Sequence, residues 1–444
     1  MGFEPANFTE FRYTGFTRES TADGTVAAFS FALVGETTET FTERVRFETA
    51  DVAADEARLD RVLALLGAIL GLSYYKAAAP ARFVVDGALL TAGAVEYLRR
   101  VLREGLAEFA YRNELPGFLE PTIAATTVDA LPVVRVSGTP LVPIGGGKDS
   151  VVSVESLAVS GFTPVQFAVN PNVIITRVAA VSGYPLIGAS RRIDARLLQL
   201  NAEGALNGHV PVTAMNSLIA VAQSLLLGLG PVVMSNESSA SDPTLEWNGQ
   251  PVNHQWSKSL EAEVALREVL ADQAGLENAY FSLLRPFSEL RIARGFAQTT
   301  KYDTAIVSCN RAFRMGADHV GWCGDCDKCR FVFLAMAPYM SRDRLTAIFG
   351  KNMFEDPAQL PGYRALLGLD AHKPFECVGE EAECSVAMSL AAREPDWGQS
   401  VVISQLQREI PGLSEGSTAL ERVVFSEADA VDAGEFESAR HALV

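Results

Sequence analysis

Two hydrophobic rhythms run along the chain, and where each holds divides it into blocks. Up to about residue 130, the short segments 25–34 (TVAAFSFALV) and 41–48 (FTERVRFE) have the content of strands, and they lead into 55–72, where apolar residues recur at helical spacing. A second helical pattern covers 94–113. No catalytic signature stands out here, so 1–130 is predicted to be a small N-terminal α+β domain used for packing or substrate contact. From 131 to 350 strand and helix alternate: 133–136, 140–144, 163–171, 184–190 and 231–235 read as strands, and 150–161, 194–202 and 212–228 as helices. Apolar strands separated by helices predict an α/β fold, a doubly wound parallel sheet covered on both faces. From 351 to 444 the pattern predicts a C-terminal helical extension, opening with a loop and helix at 373–393 and ending in an acidic tail.

Composition narrows the partners. The 444 residues are 48% hydrophobic and 20% charged, with a formal net charge of −17. That balance offers no excess positive charge for nucleic acid or an anionic membrane. The longest strictly apolar run, 62–72, has eleven residues, whereas a bilayer span needs roughly 20. The amino terminus has neither a basic nor an apolar leader region. The chain is therefore predicted to be cytoplasmic.

The candidate chemistry begins at Gly145. Gly145, Gly146 and Gly147 follow a strand and run through Lys148, Asp149 and Ser150 into a helix. Such a corner aims backbone N–H groups and the positive end of a helix dipole at one spot, which suits a phosphate. A Walker A loop would need Ser or Thr after Lys148, and the dinucleotide fingerprint would need Gly at Ser150. Farther on, Cys309, Cys323, Cys326 and Cys329 bring four thiols together at a spacing that suits tetrahedral zinc. An iron–sulfur cluster uses the same ligands, and two disulfides are the remaining arrangement.

The glycine loop resembles the Ser-Gly-Gly-x-Asp-Ser loop of ATP pyrophosphatases of the adenine nucleotide α-hydrolase-like (HUP) superfamily, departing from it at Gly145. The resemblance implies that Gly145, Gly146, Gly147, Ser150 and Lys148 hold the pyrophosphate of ATP and that Asp149 assists Mg²⁺. It also places the adenosine near Val169 and Asn170. The cysteine cluster and 209–223 are similar to the 7-cyano-7-deazaguanine synthases, whose site is a zinc site.

Over nearly the full length the chain resembles the UDP-N-acetyl-α-D-muramoyl-L-alanyl-L-glutamate epimerases of cell-wall synthesis. FTERVRF (41–47), GLSYYKAAAP (71–80), PIGGGKDS (143–150), SNESSASDPT (235–244), CGDCDKC (323–329) and KPFECVGE (373–380) carry that match. It implies UDP-N-acetylmuramoyl-L-Ala-L-Glu as substrate, adenylation of a carboxyl group by ATP, and inversion of the terminal glutamate to its D form. Adenylation makes sense chemically, because a free carboxylate resists the second negative charge that loss of the α-proton creates. The alternative is an ATP-dependent amide or nitrile synthase of the deazaguanine type; a non-catalytic nucleotide-binding protein is a third possibility. Lys148 and Asp149 are expected at the reaction centre. For proton transfer the candidates are Cys377, with Cys384 seven residues on and about 10 Å away if one helix holds both, and Asp194, His209, Glu237, His254 and Lys258. Lys76, Arg191 and Lys373 are candidates for the substrate's anionic groups.

Overall fold

In the computed structural model, which describes residues 2–21, 24–50, 54–313, 320–370 and 378–444, strand-forming alternation starts earlier than the segments singled out above. β1 (Phe8–Thr21), β2 (Gly24–Gly35) and β3 (Thr38–Phe47) pair antiparallel. Their alternate side chains, among them Phe11, Tyr13, Phe29, Phe31, Phe41 and Val45, are fully buried. β4 (Arg82–Leu90) and β5 (Thr122–Thr127) add in parallel beyond β1. Against these strands lies helix Glu56–Leu70, capped by Asp55, every residue of which from Val62 on is buried. It packs on β1, β4 and the helices Val212–Leu227 and Leu260–Ala274. A helix that is apolar all round needs cover on all sides. The eleven-residue apolar run is thus a central core helix.

β6 (Val134–Arg135) forms where a strand was expected but stays out of the main sheet. Then follow β7 (Leu141–Pro143), β8 (Val165–Val169), β9 (Leu186–Arg192) and β10 (Val232–Met234). β11 (Leu245–Trp247) and β12 (Gln250–Val252) make a hairpin, β13 (Leu276–Glu277) pairs with β6, and β14 (Tyr280–Ser282) completes the set. Five strands form a parallel array in the order β14-β10-β7-β8-β9, and β9 pairs antiparallel with β3. The result is one ten-stranded sheet, β14-β10-β7-β8-β9-β3-β2-β1-β4-β5, in which six of nine neighbouring pairs are parallel. The chain is a mixed α/β protein, as expected, but its N-terminal strands extend the central sheet.

Strand order reverses between β7 and β10, and that is where open parallel sheets form a crevice at their carboxyl ends. The C-terminal helices Leu360–Leu366, Glu381–Arg393 and Val401–Glu409 build a second core with helix Asp327–Met336 around Phe333, Phe354 and Trp397. The chain end returns to the sheet, where the Phe436 ring lies 4.6 Å from that of Phe162 and 5.8 Å from that of Phe281. No helix among the described residues is long and apolar enough to cross a membrane.

Candidate active site

At the reversal point, β7 ends in the glycine loop and helix Lys148–Val159 begins. Gly146 has φ +85°, and a Cβ there would come within 2.8 Å of Ile174 Cγ2. A Cβ on Gly147 would collide with Ser308 Oγ, whereas Gly145 has nothing within 4 Å. The serine usual at that first position would fit here. Gly147 caps the helix without a side-chain hydrogen bond, so no cap occupies the N–H groups of the first turn. They face a cleft of about 390 Å³, walled by Gly145, Gly147, Asp149 and Ser150 on one side and by Ser235, Asn236 and Lys258 on another.

Charge is concentrated beneath the loop. Lys148 is buried, and its Nζ donates to the carboxylates of both Asp149 and Glu289. Burial alone would deprotonate this lysine, but the two carboxylates outweigh it and keep the ammonium charged. Burial likewise works to raise the Glu289 carboxyl, and Lys148 and Lys328 reverse that, bringing it down to about 2. The Lys328 Nζ lies 3.7 Å from the second Glu289 oxygen. Two further carboxyls, Glu237 and Glu383, are pushed up to about 7, by burial first and then by Glu289. Asp149 and Glu289 provide hard oxygen ligands of the kind Mg²⁺ takes. Beneath them the fully buried Arg285 pairs with Glu263 at 2.8 Å and donates to the carbonyls of Glu237 and Lys258, both at 2.5 Å. Arg285 thereby fixes the backbone of two cleft segments.

The four cysteines converge as expected. Sγ–Sγ distances are 3.9 Å for Cys309–Cys326, 3.7 Å for Cys323–Cys329 and 3.4 Å for Cys326–Cys329. A tetrahedron of sulfurs about 2.3 Å from zinc has edges of about 3.8 Å. All four ligand atoms lie within 4.8 Å of one another, so the group fits a metal. Ser308 and Asn310, on either side of Cys309, and Lys328, between Cys326 and Cys329, all line the cleft. The cysteine turn therefore positions one wall of the loop's cleft.

The other candidates separate. Glu237 and Lys258 belong to the cleft and its charged floor. Val169 ends β8, and Asn170, at φ +50°, ties β8 to β9 through two 2.9 Å hydrogen bonds with the Arg191 backbone; neither is among the residues lining the cleft. Asp194 caps helix Ala195–Glu203 and accepts from the Thr42 N–H at 2.8 Å. The Arg191 guanidinium is held by the buried Glu43 at 2.5 Å. Cys384 is buried in the C-terminal core, while Cys377 and Lys373 lie outside the described residues. Lys76, lowered to about 8 by burial, donates to Asn207 and Gly208 at 2.6 and 2.9 Å. His209 and His254 meet at Glu108, which sequence reasoning missed, as it missed Glu289, Arg285 and Lys328. Glu289 sits 141 residues from Lys148 in a stretch with no motif, and Lys328 was visible only as a spacer between cysteines.

Comparison with known proteins gives two family models along the chain: the MurL N-terminal domain matches residues 2–283 and the MurL C-terminal domain residues 305–421. A protein of Salinispora tropica is 53% identical over 392 residues, covering 87% of this chain and 86% of its own length. One from a Micromonospora species is also 53% identical over 392 residues, covering 87% and 88%. One from Xanthomonas oryzae pv. oryzae is 42% identical over 361 residues, covering 80% of each. Each of the three is named UDP-N-acetyl-alpha-D-muramoyl-L-alanyl-L-glutamate epimerase. No solved structure matches the chain significantly.

Proposed function

Since this chain belongs to the MurL family, whose relatives carry the epimerase name, we propose that it inverts the terminal L-glutamate of UDP-N-acetylmuramoyl-L-Ala-L-Glu in the cytoplasm. ATP would activate a carboxyl group as an acyl adenylate, releasing diphosphate; the α-proton is then exchanged and hydrolysis releases AMP. The observation that carries the ATP step is the side-chain-free corner at Gly146 and Gly147, which opens an uncapped helix into the cleft at the strand-order reversal. The order β14-β10-β7-β8-β9 supports a HUP-type nucleotide domain over 131–350, between the N-terminal strands and the C-terminal extension.

In this reading the loop N–H groups and Ser150 hold the departing diphosphate, and Lys148 and Lys328 offset its charge. Mg²⁺, when bound at Asp149 and Glu289, would neutralise phosphate oxygens. Zinc at the four cysteines is structural: all four positions are filled by protein thiolates, leaving none open for substrate.

The test is incubation with Mg-ATP and the muramoyl dipeptide in heavy water, followed by chiral analysis of the glutamate. D-glutamate carrying deuterium at Cα, with AMP and diphosphate released, is expected. Glutamate that stays L and unlabelled overturns the epimerase assignment; ADP and orthophosphate in place of AMP overturn the adenylation.

A further inference from the structure

Glu108, His209 and His254 come from three distant segments and converge on one carboxylate oxygen. Glu108 lies in the helix Ala107–Arg112, and its side chain is 6% exposed. Its Oε2 is 2.5 Å from His254 Nδ1 and 3.8 Å from His209 Nδ1, and its other oxygen is 2.6 Å from Arg112. The two imidazole rings are 4.8 Å apart at an interplanar angle of 48°.

Each histidine lies four residues from a residue that lines the cleft. Thr213, four residues after His209, lines it at the start of helix Val212–Leu227, and Lys258, four residues after His254, lines it as well. Lys258 and Lys76 both lie near enough to repel a proton on His209. The group thus stands near Lys258, a wall residue of the cleft, and nothing in the nucleotide chemistry uses it.

Resting on the adenylation and epimerisation reading above, we propose that His254, oriented by Glu108, takes the α-proton of the activated glutamyl residue. With Nδ1 turned to Glu108, the proton on that nitrogen is held by the carboxylate and Nε2 is the basic atom. The Cα–H bond breaks, the proton passes to Nε2, and the electron pair enters the enolate of the acyl adenylate. Glu108 balances the imidazolium that results; on the opposite face of Cα the enolate takes a proton from water, and the hydroxide left behind is neutralised, through solvent, by the proton on the imidazolium, which returns His254 to its neutral form. His209, lowered to about 4 chiefly by burial, stays neutral, so the pair of rings carries no more than the one transferred proton. Glu108, His209 and His254 also present three ligand atoms within 4.8 Å of one another, so the zinc content of the variants below separates a metal site from a base.

The test compares wild type with His254→Gln and Glu108→Gln in two assays: ATP–diphosphate exchange in the presence of the dipeptide, and deuterium entry at Cα in heavy water. His254→Gln is expected to keep diphosphate exchange within about threefold and to lose deuterium entry by at least about 100-fold. Glu108→Gln should lose deuterium entry by about tenfold or more, with zinc content unchanged in both variants. For His254→Gly, added imidazole should restore deuterium entry. Unchanged deuterium entry in His254→Gln overturns the proposal. So does a His254→Gly protein that loses both activities with no recovery in imidazole, or the loss of one equivalent of zinc with His254. If wild type incorporates deuterium without diphosphate exchange, the adenylation reading fails and the histidine assignment is still decided by the variants.

Discussion

One added methyl group has different consequences at Gly147 and at Gly145, two residues back. At Gly147 a Cβ would collide with Ser308 Oγ and displace that hydroxyl on the cleft wall; at Gly145 it meets open space. Gly147→Ala is therefore expected to lower ATP–diphosphate exchange by about 100-fold, the order found when one anion-stabilising hydrogen-bond donor is lost. Gly145→Ser should stay within about threefold of wild type. Equal losses in both variants would show that the loop does not grip phosphate through its backbone. The loop was legible in the sequence because its signal is local: consecutive glycines after a strand and before a helix. Its partner Glu289 was not, since only packing brings residue 289 under residue 148. The same holds for Glu108, whose sequence neighbours describe an ordinary helix while its side chain meets His209 and His254 from two other segments.

Among the elements, the cysteine turn joins stability to function. Cys326 accepts from the Cys329 N–H at 3.4 Å and so caps the helix Asp327–Met336, and residues adjoining Cys309 and Cys329 form a cleft wall. Metal analysis should find one zinc per chain. Stripping it with a chelator, or Cys326→Ser, should remove diphosphate exchange in proportion to the zinc lost, alongside a lower melting temperature. Full exchange by zinc-free protein would separate the cysteines from the site. The three helices and five strands singled out between 131 and 235 lie within a few residues of observed elements, whereas the helices Val173–Ser182, Leu260–Ala274 and Glu289–Phe296 and strand β14 were not singled out. β1 was not singled out: Gly15 sits at a register shift in its pairing with β2, and its outward face is rich in Thr, Arg and Glu. β6 shows the limit from the other side, since strand-like content cannot say which sheet a segment joins.

For the whole molecule, the site gathers carboxylates from separate regions. Glu383, from the C-terminal helix Glu381–Arg393, reaches Glu289 and Glu237 in the electrostatics of the cleft. Its folded carboxyl titrates at about 7 against 4.5 unfolded. The folded chain thus binds more protons between those values, and stability falls as pH rises from 4.5 towards 7. The cost at pH 8 is up to about 3 kcal/mol for this one group. Glu383→Gln should flatten that slope, so that the variant gains on wild type between pH 5 and 8 in denaturant unfolding. A variant that loses ground over this range would show that the ionised carboxylate is stabilising. Net charge of −17 gave no hint of this, because a sum over the chain does not say which carboxylates are buried together.

By itself the sequence determined the α/β alternation, the glycine corner, the four-thiol group and the family, all carried by residues close together or by type and order. Tertiary structure alone decided that β3 pairs with β9, making one sheet of two expected domains. It also set Asp194 and Arg191 to structural contacts and brought Lys148 to Glu289, and His254 to Glu108. The physical reason is range. Backbone conformation answers to neighbours a few residues away, whereas these meetings join segments 141 to 152 residues apart that only sheet register and helix packing bring into contact.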